Sequence, residues 1–210
     1  VKATTIKSPG LKYPLRLCIL AGCLAALCRG PAPGFAEEAS RPDREIHISR
    51  PSPGRQGGHA YQLIYRVAAV PELYWRFKTD FDNDFLVSNK YIREHRFIAR
   101  QANQVITENK YALSPDVYFR WQTTLYASRL RLEFKLLNPE QCHQRFHHGH
   151  IQLEADAGGG TRVTQVAYFD FLGAGLWAAY PWRGGMKDFL TYTACWEQDA
   201  FQQWQAKLPP

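Results

Sequence analysis

Residues 185–207, GMKDFLTYTACWEQDAFQQWQAK, decide the architecture of this chain. Met186, Phe189, Thr193, Trp196, Ala200 and Trp204 recur at steps of three and four, the spacing that places side chains on one face of an α-helix, and Leu190 and Phe201 widen the stripe. A long helix with one apolar face has to lay that face on another layer. The chain before it supplies one, and it is nearly all strand.

Residues 59–69 alternate, with Tyr61, Leu63, Tyr65 and Val67 on one side and Gln62 and Arg66 on the other. Pro71 then opens a short helix, where its missing N–H costs nothing, and a second short helical or loop segment is expected near residues 84–88. Six more strands follow near residues 90–100, 103–113, 117–126, 129–137, 142–155 and 161–171. In 129–137, Leu130, Leu132, Phe134 and Leu136 face inward and Arg129, Arg131, Glu133 and Lys135 face water. In 117–126, Val117, Phe119, Trp121, Thr123 and Leu125 share a face. Turns fall at Ser114-Pro115, Asn138-Pro139 and Gly158-Gly159-Gly160. Such one-sided alternation belongs to antiparallel sheet. The expectation is an α+β domain over residues 59–208. A seven-stranded curved antiparallel sheet takes the long C-terminal helix on its concave side, with two short helices after strand one. Residues 37–58, rich in Pro, Arg, Gly and Ser, read as an extended lead-in.

Three motifs in this order carry a resemblance. They are Val67-Ala68-Ala69-Val70-Pro71-Glu72-Leu73-Tyr74-Trp75, then Thr79-Asp80-Phe81-Asp82-Asn83, then Gly159-Gly160-Thr161-Arg162-Val163-Thr164, the last preceded by Gly149-His150-Ile151-Gln152-Leu153. Residues 59–207 resemble the SRPBCC superfamily, the helix-grip proteins that include START lipid-transfer domains, pollen-allergen-like proteins, polyketide cyclases/dehydrases and coenzyme-Q-binding proteins. The resemblance implies a deep apolar cavity between helix and sheet for lipids, quinones, polyketides or similar molecules. The superfamily has no universal catalytic residue, so none is carried over.

The first 36 residues carry a different signal. Lys2, Lys7, Lys12 and Arg16 stand without an acidic residue, residues 17–28 (LCILAGCLAALC) are continuously apolar, and small Gly34 and Ala36 precede Glu37. That is the layout of a secretory signal peptide, and its apolar run falls short of the roughly 20 residues a spanning helix needs. Leu20-Ala21-Gly22-Cys23 also fits a lipoprotein box, so lipidation at Cys23 competes with release after Ala36. Either outcome makes the protein exported, periplasmic or secreted. Of the 26 basic residues five lie in this segment, as do none of the 19 acidic ones, so the remaining chain carries only +2 of the total +7. A near-neutral domain gives no electrostatic case for nucleic acid. Cys142 and Cys195 remain outside the leader and could pair in an oxidising compartment.

Chemistry-bearing patterns are weak. His143, His147, His148 and His150 cluster, but with Ile151 and Leu153 inward, parity puts His148 and His150 on the outer face and His143 and His147 inside. No further ligands accompany them, so no metal is expected, and the inner pair could orient a guest. Asp80-Phe81-Asp82-Asn83-Asp84 opens like a calcium loop, yet Phe85 and Tyr91 stand where Gly and Glu are required. No Gly-x-Ser-x-Gly elbow is present, and no basic residue lies within a turn of Cys195 to activate it.

Aromatic residues on inward faces carry the functional reading. Tyr65, Tyr111, Trp121, Phe134, Phe169, Phe189, Tyr192, Thr193 and Trp196 are the expected ligand-binding set. Thr107, Asn109, Thr123, Gln165 and Thr193 mix polar groups into the same faces, which fits a small-molecule pocket, although hydroxyls bonded to nearby backbone explain them equally well. The expected function is an exported binding protein for a hydrophobic small molecule (a lipid, isoprenoid or quinone-like compound), with no cofactor and no assigned catalytic residue. Contact with a membrane surface is compatible with that role, and the oligomeric state is left open. Two alternatives stand. One is a cyclase/dehydrase- or hydrolase-like enzyme using His147, His143, Tyr111 or Asp170; the other is a protein-interaction module using residues 177–182, WAAYPW.

Overall fold

Tyr61, Leu63, Tyr65 and Val67 are all buried, and their alternation with more exposed neighbours makes residues His59–Val67 a strand, β2. A computed structural model describes residues 44–82, 88–112, 114–173 and 185–208, all within the compact unit 41–210. The remaining strands are β1 (Ile46–Ser49), β3 (Ile92–Gln101), β4 (Gln104–Tyr111), β5 (Ser114–Tyr126), β6 (Arg131–Leu136), β7 (Gln144–Ala155) and β8 (Thr161–Phe171). They form one antiparallel sheet in the order β1-β2-β8-β7-β6-β5-β4-β3. Helix α1 spans Pro71–Lys78 and helix α2 Gly185–Gln205. This is the helix-grip arrangement of a curved sheet and a long C-terminal helix.

Among the described residues the sheet has eight strands where seven were expected. The extra one lies inside the presumed lead-in, where Ile46 and Ile48 pair with Tyr65 and Leu63 and pack on the core. Four residues with only two apolar side chains leave almost no periodicity to read. Arg44 fastens this edge to α2, donating to the Cys195 carbonyl at 3.0 Å and to Asp199 at 2.5 Å. The second short helix expected near residues 84–88 falls mostly on 83–87, outside the described residues, and so does the 177–182 loop.

Helix α1 is too short to be stable alone. Packing holds it: Tyr74 and Phe77 are completely buried and meet Phe201 edge-on at 5.2 and 5.4 Å. The buried Thr161 hydroxyl donates to the Ala69 carbonyl at 2.6 Å, tying β8 to the start of α1. Backbones approach closely at Gly160, where a Cβ would stand 2.6 Å from the Val67 carbonyl oxygen.

The buried line of α2 differs from the expected stripe. It runs Met186, Leu190, Ala194, Glu197, Ala200 and Phe201, while Phe189, Thr193, Trp196 and Trp204 flank it half-buried. A glutamate at the centre of the helix's buried face hides the stripe from any search for apolar residues alone. Cys142 and Cys195 are free thiols, the first buried and the second half-buried. No helix among the described residues is long and apolar enough to cross a membrane.

Candidate functional site

Between α2 and the inner face of the sheet lies a cavity of about 580 Å³, within the range of small-molecule sites. Strand parity builds its floor. From β5, Phe119, Trp121 and Thr123 point in; from β4, Thr107, Asn109 and Tyr111; from β8, Gln165, Ala167 and Phe169. Phe134 crosses from β6 over Gly149, its partner on β7, where a Cβ would stand 2.6 Å from the Phe134 ring. Only glycine leaves that ring room to lie against Trp121 and His147, at ring-centre distances of 5.9 and 6.2 Å.

Of the nine residues expected to hold a ligand, seven line this cavity: Tyr111, Trp121, Phe134 and Phe169 from the sheet, and Phe189, Thr193 and Trp196 from α2. The five polar residues mixed into the inward faces, Thr107, Asn109, Thr123, Gln165 and Thr193, line it as well. Tyr65 and Tyr192 do not. Tyr65 is sealed beneath α2, 1% exposed, with its hydroxyl bonded to Glu197 and Tyr74. Tyr192 turns to the preceding segment, accepting from the Lys90 backbone N–H at 3.3 Å and carrying the Lys90 ammonium 4.0 Å above its ring. Each tyrosine is drawn off by a partner in another element, which periodicity does not reveal.

The titratable groups divide in the same way. His147 lines the cavity, and burial first, then His148, holds its imidazole down to about 3. It is therefore neutral. With Nδ1 donating to Gln144 Oε1 at 3.1 Å, Nε2 is left as an acceptor. Burial raises the Tyr111 hydroxyl, and burial pushes the Cys142 thiol up to about 11, so neither ionises near neutral pH. His95 bridges the Phe81 carbonyl at 2.8 Å and Asn109 at 2.7 Å. Among the enzyme candidates, Asp170 lies outside the cavity lining and pairs with Arg145 at 2.9 Å. His143, His147 and Tyr111 line the cavity, yet no hydrogen bond joins any two of them. On the opposite face His148 and His150 border a shallow depression with Tyr168, as their parity required, and burial lowers both imidazoles. Among the described residues, no three His, Cys, Asp or Glu side chains converge on a point that could hold a metal.

Sequence reading missed Lys78 and Glu197, both of which line the cavity. Lys78 Nζ donates to Glu197 Oε1 at 2.7 Å, with side-chain exposures of 11% and 9%. Glu197 Oε2 accepts from Tyr65 and, at 3.0 Å, from Tyr74. Burial first, then the adjacent carboxylate, keeps both phenols far above their ordinary range. The available signal was positional: Lys78 follows Tyr74 by four residues on α1, and Glu197 precedes Phe201 by four on α2.

No protein-family model and no curated protein matches the sequence. Solved structures do match in shape. A protein from Thermus thermophilus superposes with a TM-score of 0.55 at 14% identity, covering 71% of this chain and 99% of that one. The STAR-related lipid transfer protein from Xanthomonas axonopodis gives 0.57 at 11% identity, covering 78% and 97%. Norcoclaurine synthase from Thalictrum flavum gives 0.50 at 8% identity, covering 83% and 97%. A lipid transfer protein and a synthase share this architecture, so the likeness establishes the helix-grip fold and leaves function to the site.

Proposed function

We propose that this chain binds a hydrophobic small molecule in the cavity under α2 and acts as a carrier rather than a catalyst. The observation that carries the reading is the cavity itself: about 580 Å³, walled by aromatic and aliphatic side chains, with polar groups at a few points. A closed core would fill that space, since interiors pack to crystal-like density. The carrier reading is favoured over an enzyme because the cavity's His143, His147 and Tyr111 make no hydrogen bond with one another, while Lys78 and Glu197 are engaged with each other and with Tyr65 and Tyr74. Native mass spectrometry of the full chain, as purified and after exposure to Nile red and to a fluorescent fatty acid, tests it. A stoichiometric adduct is expected. A protein that arrives empty and takes up neither probe refutes it.

We further propose that residues 1–36 direct export. The positive start, the apolar run and the small residues before Glu37 support this. Expression in a bacterial host with fractionation and N-terminal sequencing checks it. A mature N-terminus at Glu37 in the exported fraction is expected, and retention with residues 1–36 attached refutes it.

A further inference from the structure

The cavity ends, on the α1 side, in a charged cluster that the packing of the fold does not require. Lys78 comes from α1, Glu197 from α2 and Tyr65 from β2, with Tyr74 completing the set. An ion pair in such a place is close to neutral for stability, because desolvating two charges offsets most of their attraction. Its hydrogen bonding is unevenly filled. Glu197 accepts three bonds, two from the tyrosines and one from Lys78. The Lys78 ammonium has three N–H groups, and among the described residues only Glu197 receives one of them. Two donors on a nearly buried ammonium therefore remain at the wall of an apolar cavity. A second underused polar group lines the same cavity. Gln165 lies on the cavity floor two residues along β8 from Val163, the partner of Tyr65, a spacing of about 7 Å. Its amide makes no hydrogen bond to a described residue.

Resting on the reading that the cavity holds a hydrophobic guest, we propose that Lys78, fixed by Glu197 and the two tyrosines, donates a hydrogen bond to the oxygen of an uncharged ligand: a carbonyl or hydroxyl on an otherwise hydrocarbon body. A carboxylate is the wrong guest. Lys78 is already neutralised by Glu197, and His147, one of the histidines in the lining, is neutral. At Lys78 an anion would lose its hydration without meeting net positive charge.

Three near-isosteric probes separate the possibilities by displacement of Nile red from the full chain: 2-acetylnaphthalene, 2-ethylnaphthalene and 2-naphthoate. The ketone is expected to bind about tenfold more tightly than the hydrocarbon, the effect of roughly one hydrogen bond to a charged group, with the carboxylate weaker than the ketone. The double substitution Lys78→Met with Glu197→Leu removes both charges and leaves Tyr65 and Tyr74 bonded to each other. It should bring ketone and hydrocarbon to equal affinity. An infrared spectrum of the bound ketone, labelled with carbon-13 at its carbonyl, needs no variant. The stretch should fall below its value in alkane solvent. Equal binding of ketone and hydrocarbon, tightest binding of the carboxylate, a preference that survives the double substitution, or an unshifted carbonyl would each overturn the assignment to Lys78. Failure of all three probes to bind would instead overturn the cavity reading on which it rests.

Discussion

The two halves of α2 carry similar side chains and meet different floors. Toward its C-terminus, Phe201 is 2% exposed and closes against Tyr74 and Phe77, with Trp204 stacked on it at 5.9 Å. Toward its N-terminus, Met186, Phe189, Leu190 and Thr193 face the cavity. The helix does not decide which half is hollow; the sheet does. Opposite the closed half stand Tyr65 and Val163, both fully buried. Further along the same strands the floor becomes Gln165 and Ala167, with Gly149 beside them. Aromatic content alone therefore says little about whether a helix seals a core or roofs a pocket.

The largest effect should come from treating the two halves alike. Phe201→Ala opens a hole in packed material and should cost about 3–5 kcal/mol. Phe189→Ala, half-buried above a space already present, should cost no more than about 1–2 kcal/mol and should alter Nile red affinity instead. Denaturant unfolding of both variants measures the difference. Equal losses would mean that the hollow half is packed as tightly as the closed one.

The next effect is on pH, and it belongs to the hollow half. His147 is held near 3 in the folded protein against about 6.5 when unfolded. Between these values the unfolded chain binds the extra proton, so this residue's contribution is complete above about pH 6.5 and is lost as pH falls toward 3. From pH 7.5 to pH 5 the loss should be about 2 kcal/mol. His147→Gln, which cannot titrate, should show a correspondingly flatter dependence over that interval. Parallel curves for the two proteins would show that His147 takes up its proton as readily folded as unfolded.

How much of this was legible in sequence follows from the same contrast. Clean alternation in 59–69 and 129–137 located β2 and β6 with their faces, because each side chain there answers only to the pleat, although β6 begins only at Arg131, after Leu130 in a left-handed turn. Parity alone also placed Thr107, Asn109, Thr123 and Gln165 on the cavity side. Illegible were the residues whose position depends on partners distant in the chain. Tyr65 reads as one more inward aromatic, but Glu197, 132 residues away, draws it into the sealed end. Glu197 itself reads as solvent-facing until Lys78, 119 residues before it, supplies the compensating charge. Strand β1 was missed for want of length: two isoleucines show no pattern until β2 is beside them.

A smaller effect tests what else closes the C-terminal half. Arg44 is mostly buried where it reaches the Cys195 carbonyl, but its partner Asp199 is 44% exposed. Solvent screens that pair, so Arg44→Met should cost about 1 kcal/mol. Hydrogen exchange should quicken in β1 and in the turn of α2 around Cys195, with the N-terminal turns of the helix unchanged. Faster exchange along the whole of α2 would show that its two halves open as one unit.

The smallest effect on stability should accompany the sharpest effect on binding. Ala167 lies on the cavity floor, paired with Gly149 on one side and Tyr61 on the other. In a filled core an added isopropyl group would overpack and cost about 1–3 kcal/mol. Here Ala167→Leu points the added atoms into existing space, where newly buried apolar area offsets the entropy of fixing the larger side chain. Its unfolding free energy should stay within about 0.5 kcal/mol of the parent, while Nile red uptake falls at least about tenfold. The two readouts have to be taken on the same sample, because their ratio carries the argument. Unchanged stability with lost binding makes the hollow half a vessel, whereas destabilisation by overpacking would mean that this floor is already covered and the two halves of α2 do not differ after all.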